Sequence, residues 1–241
     1  MKRTLFFSII LLLLLNGRGN GQTNGTKFKF SLNTAHPEAR KLMKEDFYWS
    51  PIDEFGPFGS DAGSDAAYGF QKWRIMHAST PPVIYLRQLI DAWNFPPFAW
   101  DELDTAKIKS YMSTPAHLDP SMIDQQVEML KKENERYASM PGGKKKLTDA
   151  QLREIVLNSQ KNMGVSYLID IDEAIIGTAF AQFVIEGRID PSLKKYVIIT
   201  IQREMLPLIT REFGRPDQVK AHNDKMDKLL QVVKKMPIAA N

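Results

Sequence analysis

The sequence predicts a mainly α-helical globular domain with a short N-terminal strand and an ordered loop rich in aromatic and acidic residues. Apolar residues recur at helical spacing through most of the chain. In addition, Asp119-Pro120 and Asp190-Pro191 each place a capping side chain before a proline suited to the first helical turn. With 43% hydrophobic residues, the 241-residue chain has enough apolar content for a core.

The N-terminus has the pattern of a secretory signal peptide. Two basic residues precede an apolar run at residues 5–15, and Gly19 and Gly21 have the spacing of the small residues before a cleavage site. A run of this length is too short to cross a bilayer core of roughly 30 Å. We therefore predict a signal peptide at residues 1–21 and a mature protein that is free in the periplasm or secreted.

The composition of the mature chain excludes several classes of protein. Residues 1–21 contain three basic and no acidic residues, so their removal lowers the formal net charge from +4 to +1, and nucleic acid becomes a poor candidate partner. The chain has no cysteine, which excludes disulfides, thiol catalysis, thiolate metal sites and a lipid-modified N-terminal cysteine. No second apolar run of about 18 residues follows, so the mature chain is predicted to have no transmembrane segment.

The first predicted elements lead into the aromatic loop. Apolar and polar residues alternate at residues 27–32, which is typical of a short, half-buried strand. Pro37 suits the first turn of a helix over residues 37–45, which has an apolar side for the core.

The segment at residues 46–74 is the densest in aromatic, acidic and turn-forming residues. Its aromatic rings alternate with prolines and glycines, so the chain must turn repeatedly while it buries large rings. We predict an ordered loop that is attached to the core. Ser60, Asp61 and Ser64 are candidate N-caps of the helix that follows at residues 66–77.

The rest of the chain is predicted to be helical. Thr148 and Gln151 form a capping-box pattern. The β-branched run at residues 197–201 also suits a buried strand, but the start at Pro191 and the distance to Pro207 favour a helix. The predicted helices cover residues 83–93, 104–113, 120–137, 148–163, 167–187 and 191–206, with a last helix from residue 217 onward.

A candidate domain boundary lies at residues 141–147, where proline, glycines and three lysines suit a flexible linker. It separates an N-terminal half, residues 22–140, from a C-terminal half, residues 148–241. The predicted helix at residues 167–187 has small residues on one face, between residues 174 and 181. We predict that this helix is central and buried. If the two halves share one core, this face should contact residues before residue 144. If they do not, its neighbours should all come later in the chain.

Three acidic residues interrupt the start of this apolar helix. Asp170, Asp172 and Glu173 resemble a metal-binding cluster in their spacing. Acidic residues are also expected in the first turn of a helix, because the helix dipole favours negative charge there. We favour the dipole interpretation.

Carboxylates of the 46–74 segment form the candidate site. Their density beside aromatic rings suggests a cation site or an acidic contact surface, although capping and turn formation explain the same residues. Their spacing does not match a calcium-binding loop, so we assign no metal, cofactor or catalytic residue. The candidate binding residues are Asp53, Glu54, Ser60, Asp61, Asp65, Trp49 and Trp73.

One segment resembles a known family. Residues 36–65 read HPEARKLMKEDFYWSPIDEFGPFGSDAGSD, which is similar to the opening of YfeS-type proteins, an uncharacterised family. The shared pattern is His-Pro, a Lys-Leu-rich helix, Phe-Tyr-Trp, Asp-Glu and then Pro-Phe-Gly-Ser-Asp-x-Gly. The resemblance implies no activity, cofactor or catalytic residue. Some members carry a Trp-Gly-Arg module, and this tripeptide does not occur in the chain.

Local catalytic motifs are missing, since the chain has no His-Glu-x-x-His, Gly-x-Ser-x-Gly, P-loop or dinucleotide glycine pattern. We therefore predict an exported, noncatalytic helical protein that binds a protein or a small ligand through residues 46–74. The alternative is a metal-dependent or hydrolase-like enzyme in which carboxylates of that segment meet a histidine, for example His36 with Asp53 and Glu54. An enzyme needs a concave pocket into which such groups project, whereas a binding surface can be flat.

Overall fold

The computed structural model describes residues 30–116, 120–140 and 146–239. This part of the chain is mostly helical, which confirms the predicted fold class, and it contains no β-strand beyond an isolated bridge between Ile189 and Ile238. Short 3-10 turns lie at Asp46–Trp49 and Arg211–Phe213. The α-helices of the described residues are α1 Pro37–Leu42, α2 Asp61–Met76, α3 Pro82–Ala92, α4 Thr105–Met112, α5 Pro120–Ala138, α6 Asp149–Ser159, α7 Gly164–Glu186, α8 Pro191–Glu204, α9 Pro207–Thr210 and α10 Pro216–Lys235.

Several sequence predictions fall wholly or partly outside the described residues. The predicted signal peptide at residues 1–21 does so entirely, as do residues 27–29 of the predicted strand and residues 141–145 of the predicted linker. The last three residues of the strand prediction, 30–32, are irregular and enter a turn. Phe30 is nevertheless buried, and its ring stacks on that of Phe58 with 4.5 Å between centroids.

Helix α7 forms the centre of the fold, as its apolar sequence predicts. Nearly every side chain from Ile171 to Val184 is buried, because the helix is apolar on all sides. Gly187 follows it in the left-handed conformation (φ 68°), which a residue without a Cβ adopts at little cost, and this ends the helix. The helix begins at Gly164, slightly before the predicted start.

Helix α2 crosses α7 at a point where two glycines meet. A Cβ on Gly177 would overlap the carbonyl oxygen of Gly63, so the two backbones are in direct contact. The small-residue face of α7 therefore touches a residue that precedes the predicted linker. Buried residues from both sides of that linker belong to a single hydrophobic cluster.

Capping side chains set the starts of several helices. Ser60 accepts the backbone N–H of Gly63 at 3.2 Å and caps α2, so this helix begins at Asp61, earlier than predicted. Asp104 caps α4 and Asp190 caps α8 in the same way. Thr148 and Gln151 form the reciprocal capping box expected at the start of α6.

Helices α5 and α6 form an arm beside the main body. No residue of α5 is buried, and the two most buried residues of α6, Leu152 and Val156, lie outside the main hydrophobic cluster. At the base of the arm the Ala116 N–H donates to the Gln160 carbonyl and the Gly164 N–H to the Thr114 carbonyl, at 2.8 and 2.9 Å. No described helix has both the length and the apolarity needed to span a membrane.

Candidate functional site

A cavity of about 230 Å³ lies beneath the aromatic loop, between α7, α8 and α10. Its apolar wall consists of Phe55, Ile169, Ile176, Phe213, Met226 and Leu229. Its polar lining consists of Glu54, Ser60, Glu173, Glu204 and His222. The cavity thus combines a mostly apolar wall with three carboxylates, which is the usual character of a small-ligand site.

A buried histidine and a buried glutamate are in contact in the wall of the cavity. His222 Nε2 lies 3.3 Å from Glu204 Oε2, and the two side chains are only 2% and 7% exposed. The imidazole packs against the rings of both Phe55 and Phe213, at 5.1 and 4.5 Å between centroids. The second oxygen, Glu204 Oε1, is buried and accepts no hydrogen bond from the described residues. Such an oxygen is costly to bury unless a partner satisfies it.

Behind Glu204, Arg203 and Asp172 form a fully buried ion pair. Arg203 Nε and Nη2 donate to the two oxygens of Asp172 at 3.0 and 2.5 Å, and both side chains are 0% exposed. Nη1 donates to the carbonyls of Trp100 and Glu102, and Nη2 also donates to Thr200. All five N–H groups of the guanidinium therefore have acceptors. Burial raises the pKa of Asp172 to about 7, Arg203 opposes the rise, and the neighbouring Glu204 adds to it. The guanidinium itself keeps its proton.

The acidic residues of α7 lie too far along the helix to be explained by its dipole. Because α7 begins at Gly164, Asp170 and Glu173 follow its first turn, and the dipole interpretation is wrong. Burial raises the pKa of Glu173 well above its ordinary value, Asp170 adds to the rise, and a hydrogen bond with Ser60 opposes it. Burial and the charge of Asp61 raise the pKa of Asp170 to about 7. Glu173, which lines the cavity, and Asp170 beside it therefore bind a proton more readily than ordinary carboxylates do.

The structure brings two of the sequence-predicted site residues into the cavity lining, Glu54 and Ser60. Asp61, the first residue of α2, acts on the same region, since its charge raises the pKa of both Asp170 and Glu173. Asp53 lies beside the cavity but is bound by Lys225, whose Nζ is 2.6 Å from Oδ2.

The other three predicted site residues lie elsewhere. Trp49 donates its indole N–H to the carbonyl of Met43 at 3.0 Å, which fixes the ring against the end of α1. Trp73 stacks on His77 with 4.4 Å between centroids. Asp65 is exposed on α2; burial raises the pKa of Tyr85, and the charge of Asp65 adds to the rise. None of the three lines the cavity.

The histidine in the cavity is not the one that the sequence suggested. His36 is the N-cap of α1, where its Nδ1 accepts the Glu38 N–H at 3.2 Å, and its ring fills the space beside Gly187. His222 has the role of cavity histidine instead. One signal could have identified it: it lies on the apolar stripe of α10, three residues after Val219 and four before Met226.

Glu204 carries the same kind of signal. It follows Val197, Thr200 and Ile201 on the buried side of α8, where a carboxylate needs a partner. The described residues contain no group of three or more histidine, aspartate or glutamate side chains arranged to hold a metal ion.

A second cavity, of about 330 Å³, lies around residues 95–101 between α3 and α8. Its basic residue Arg87 stacks over Trp100, 5.4 Å from the ring centroid, and Asp101 pairs with Lys195 at 3.0 Å. Arg87 and Asp101 already have partners. The first cavity, called the acidic cavity below, is instead lined by Glu204, a buried glutamate with an unsatisfied oxygen. We therefore take the acidic cavity as the candidate site. Comparison with protein-family models, curated proteins and solved structures finds no match to this chain.

Proposed function

We propose that this chain is an exported, noncatalytic helical protein that binds a small ligand in the acidic cavity beneath the 46–74 segment. The single observation that carries the proposal is the unsatisfied Glu204 Oε1, buried in a residue that lines the cavity. An oxygen in this position costs free energy in the empty protein, and a ligand that donates a hydrogen bond to it would recover that cost.

The size and access of the cavity support a small ligand. An apolar cavity of about 150 Å³ is known to hold benzene, so a cavity of about 230 Å³ has room for a somewhat larger molecule. Glu54 is exposed, so the cavity reaches solvent at the loop. Export is part of the proposal because of the signal-peptide pattern at residues 1–21.

A cavity-filling substitution tests the proposal. Ile169→Phe should occupy space that a ligand needs, since Ile169 is a half-buried part of the apolar wall. We expect small neutral and charged aromatic probes to raise the melting temperature of the wild-type protein and not that of Ile169→Phe. Ile75→Phe is the matched control, because Ile75 is 77% exposed on α2 and should leave the response intact. If no probe changes the melt, or if the filled variant responds like the wild type, the proposal fails.

One observation favours a second candidate, an enzyme that uses carboxylates of the loop with a histidine. Glu54 of the loop shares the cavity with His222 and Glu204. Against a serine hydrolase, the Ser60 hydroxyl already caps α2 and hydrogen-bonds Glu173.

The two candidates differ in what His222→Gln should change. In a binding protein the variant alters affinity only, whereas in an enzyme it abolishes turnover of a ligand that still binds. Melts with calcium, zinc and a chelator extend the comparison to metal dependence. A melt that shifts with metal and reverses with chelator would favour the enzyme.

A further inference from the structure

We propose that the ligand of the acidic cavity is a small primary ammonium ion with an apolar body. This inference rests on the proposed function and narrows it to one chemical class. It is drawn from the charges, the hydrogen-bonding needs and the wall of the cavity.

The charge of the lining favours a cation. Three carboxylates, on Glu54, Glu173 and Glu204, line the cavity with a single histidine. The two neighbouring basic side chains are already engaged, Arg203 by Asp172 and Lys225 by Asp53. An incoming cation would therefore meet an acidic lining whose neighbouring arginine and lysine are bound to other carboxylates.

The hydrogen-bonding pattern favours a primary ammonium group over other cations. Glu204 is 6% exposed, and its Oε1 has no donor. A carboxylate accepts hydrogen bonds only, so the ligand has to bring N–H or O–H groups. A primary ammonium brings three donors, whereas a quaternary ammonium brings none. Charge-assisted bonds to a carboxylate are also about twice as strong as neutral ones.

The wall favours an apolar body next to that head group. Ile169, Ile176, Met226 and Leu229 offer aliphatic surface. Phe55 also faces the cavity, and on this ring the protein already shows an ammonium contact, since Lys225 Nζ lies 5.4 Å from the centroid. Aromatic rings attract cations at this distance, so an ammonium with an aromatic or aliphatic tail matches both parts of the lining.

Binding of a cation should release a proton. The groups that face Glu173 are Asp170 on α7, Ser60 and Asp61 at the start of α2, and Glu204 on α8, which is itself bound to His222 of α10. These acidic neighbours and burial favour the protonated form of Glu173, and an ammonium beside it would favour the ionised form. Affinity should therefore increase as the pH rises through the range in which Glu173 loses its proton.

Four probes that share a phenyl ring on a two-carbon chain and differ in the head group test the inference. They are phenethylammonium, 2-phenylethanol, 3-phenylpropionate and phenethyltrimethylammonium. We expect calorimetry at about pH 7 to show phenethylammonium binding at least about tenfold more tightly than each of the other three. Titration in buffers of different ionisation enthalpy should show proton release when phenethylammonium binds and none when 2-phenylethanol binds. The Glu204→Gln variant should lose about tenfold in affinity for phenethylammonium and stay within about twofold for 2-phenylethanol.

The outcomes separate this inference from the proposed function. If 2-phenylethanol binds as tightly as phenethylammonium, or if Glu204→Gln weakens both equally, the ammonium inference fails while the cavity remains a ligand site. If all four probes bind Ile169→Phe as well as the wild type, or if none binds the wild type, the proposed function fails with it. Glu173→Gln is a second variant for the case in which Glu204→Gln does not fold, and it should abolish proton release.

Discussion

Lys225 on α10 holds Asp53 of the aromatic loop in a two-pronged contact, with Nζ 2.7 Å from Oδ1 and 2.6 Å from Oδ2. The two side chains are only 27% and 22% exposed, so the pair is partly shielded from water. The same ammonium lies 5.4 Å from the ring centroid of Phe55, which forms part of the cavity wall. Asp53 and Lys225 thus fasten the loop over the acidic cavity.

Removal of the Asp53–Lys225 ion pair should loosen the loop without unfolding the protein. We expect Lys225→Met to lower the free energy of unfolding by about 1–2 kcal/mol, between the values of exposed and fully buried pairs. Urea denaturation measures this change, and hydrogen exchange at residues 53–59 should become faster because the loop has lost its attachment to α10.

Lys228→Met is the matched control for that substitution. Lys228, on the same helix as Lys225, pairs with Glu45 at 2.6 Å, but these side chains are 45% and 51% exposed. An exposed pair contributes roughly 0–1 kcal/mol, so the control should be nearly neutral. Equal losses in the two variants would show that the Asp53 contact has no special role.

The Arg203–Asp172 pair should be the most sensitive polar contact in the core. Asp172→Asn leaves a buried guanidinium with a neutral partner, and we expect a loss of about 3–5 kcal/mol in the free energy of unfolding. Arg203→Lys should be nearly as harmful, because an ammonium cannot reach Asp172 and the carbonyls of Trp100 and Glu102 together. Denaturation measured by circular dichroism checks both variants. If Arg203→Lys hardly changed the free energy of unfolding, the positive charge alone, and not the shape of the guanidinium, would stabilise this part of the core.

Local rules predicted the helices well and the cavity poorly, for a physical reason. A cap such as Ser60, Asp104 or Thr148 acts on backbone groups a few residues away, so its effect is visible in the sequence. The cavity joins Glu54, Glu173, Glu204 and His222, which are far apart along the chain and meet only because α7, α8 and α10 pack together. Each lies on an ordinary element, and no short motif connects them.

Helices α2 and α7 begin several residues before their predicted starts, and a glycine near each start explains the difference. Gly63 in α2 and Gly164 in α7 are poor helix formers by propensity. Tertiary contact requires them, because a Cβ on Gly164 would overlap the carbonyl oxygen of Tyr111 and Gly63 lies against α7. Close packing of backbones outweighs a propensity cost of about 1 kcal/mol at each position. Sequence periodicity alone carries no information on such contacts.

The contact between α2 and α7 predicts a severe effect of a single methyl group. In Gly177→Ala the new Cβ would overlap the Gly63 carbonyl oxygen, a backbone atom that cannot rotate away. Overpacking of this kind costs about 1–3 kcal/mol, and we expect the upper part of that range. Thermal or urea denaturation measures the loss.

Gly214→Ala separates packing from backbone conformation. Gly214 has a φ of 74° but no atom within 4 Å of a built Cβ, so an alanine there is strained without a clash. The expected cost is about 1–2 kcal/mol, from the left-handed conformation alone. If Gly177→Ala costs less than Gly214→Ala, the helices separate easily and the backbone contact is not a strong constraint.

Asp170 should make the protein less stable as the pH rises. Below about 3.8 the carboxyl is protonated in both the folded and the unfolded chain, and above about 7 it is ionised in both. Between these values only the unfolded chain loses the proton, so the free energy of unfolding falls with rising pH through this window. Asp170→Asn removes the ionisable group, and we expect it to raise the melting temperature at about pH 8 by on the order of 5 °C and to have little effect at about pH 4. Asp227→Asn, an exposed site on α10 with the same change in charge, is the control and should leave the pH dependence of the melt unchanged. A melting temperature of Asp170→Asn below that of the wild type at about pH 8 would mean that the ionised carboxylate has a stabilising partner in the folded protein.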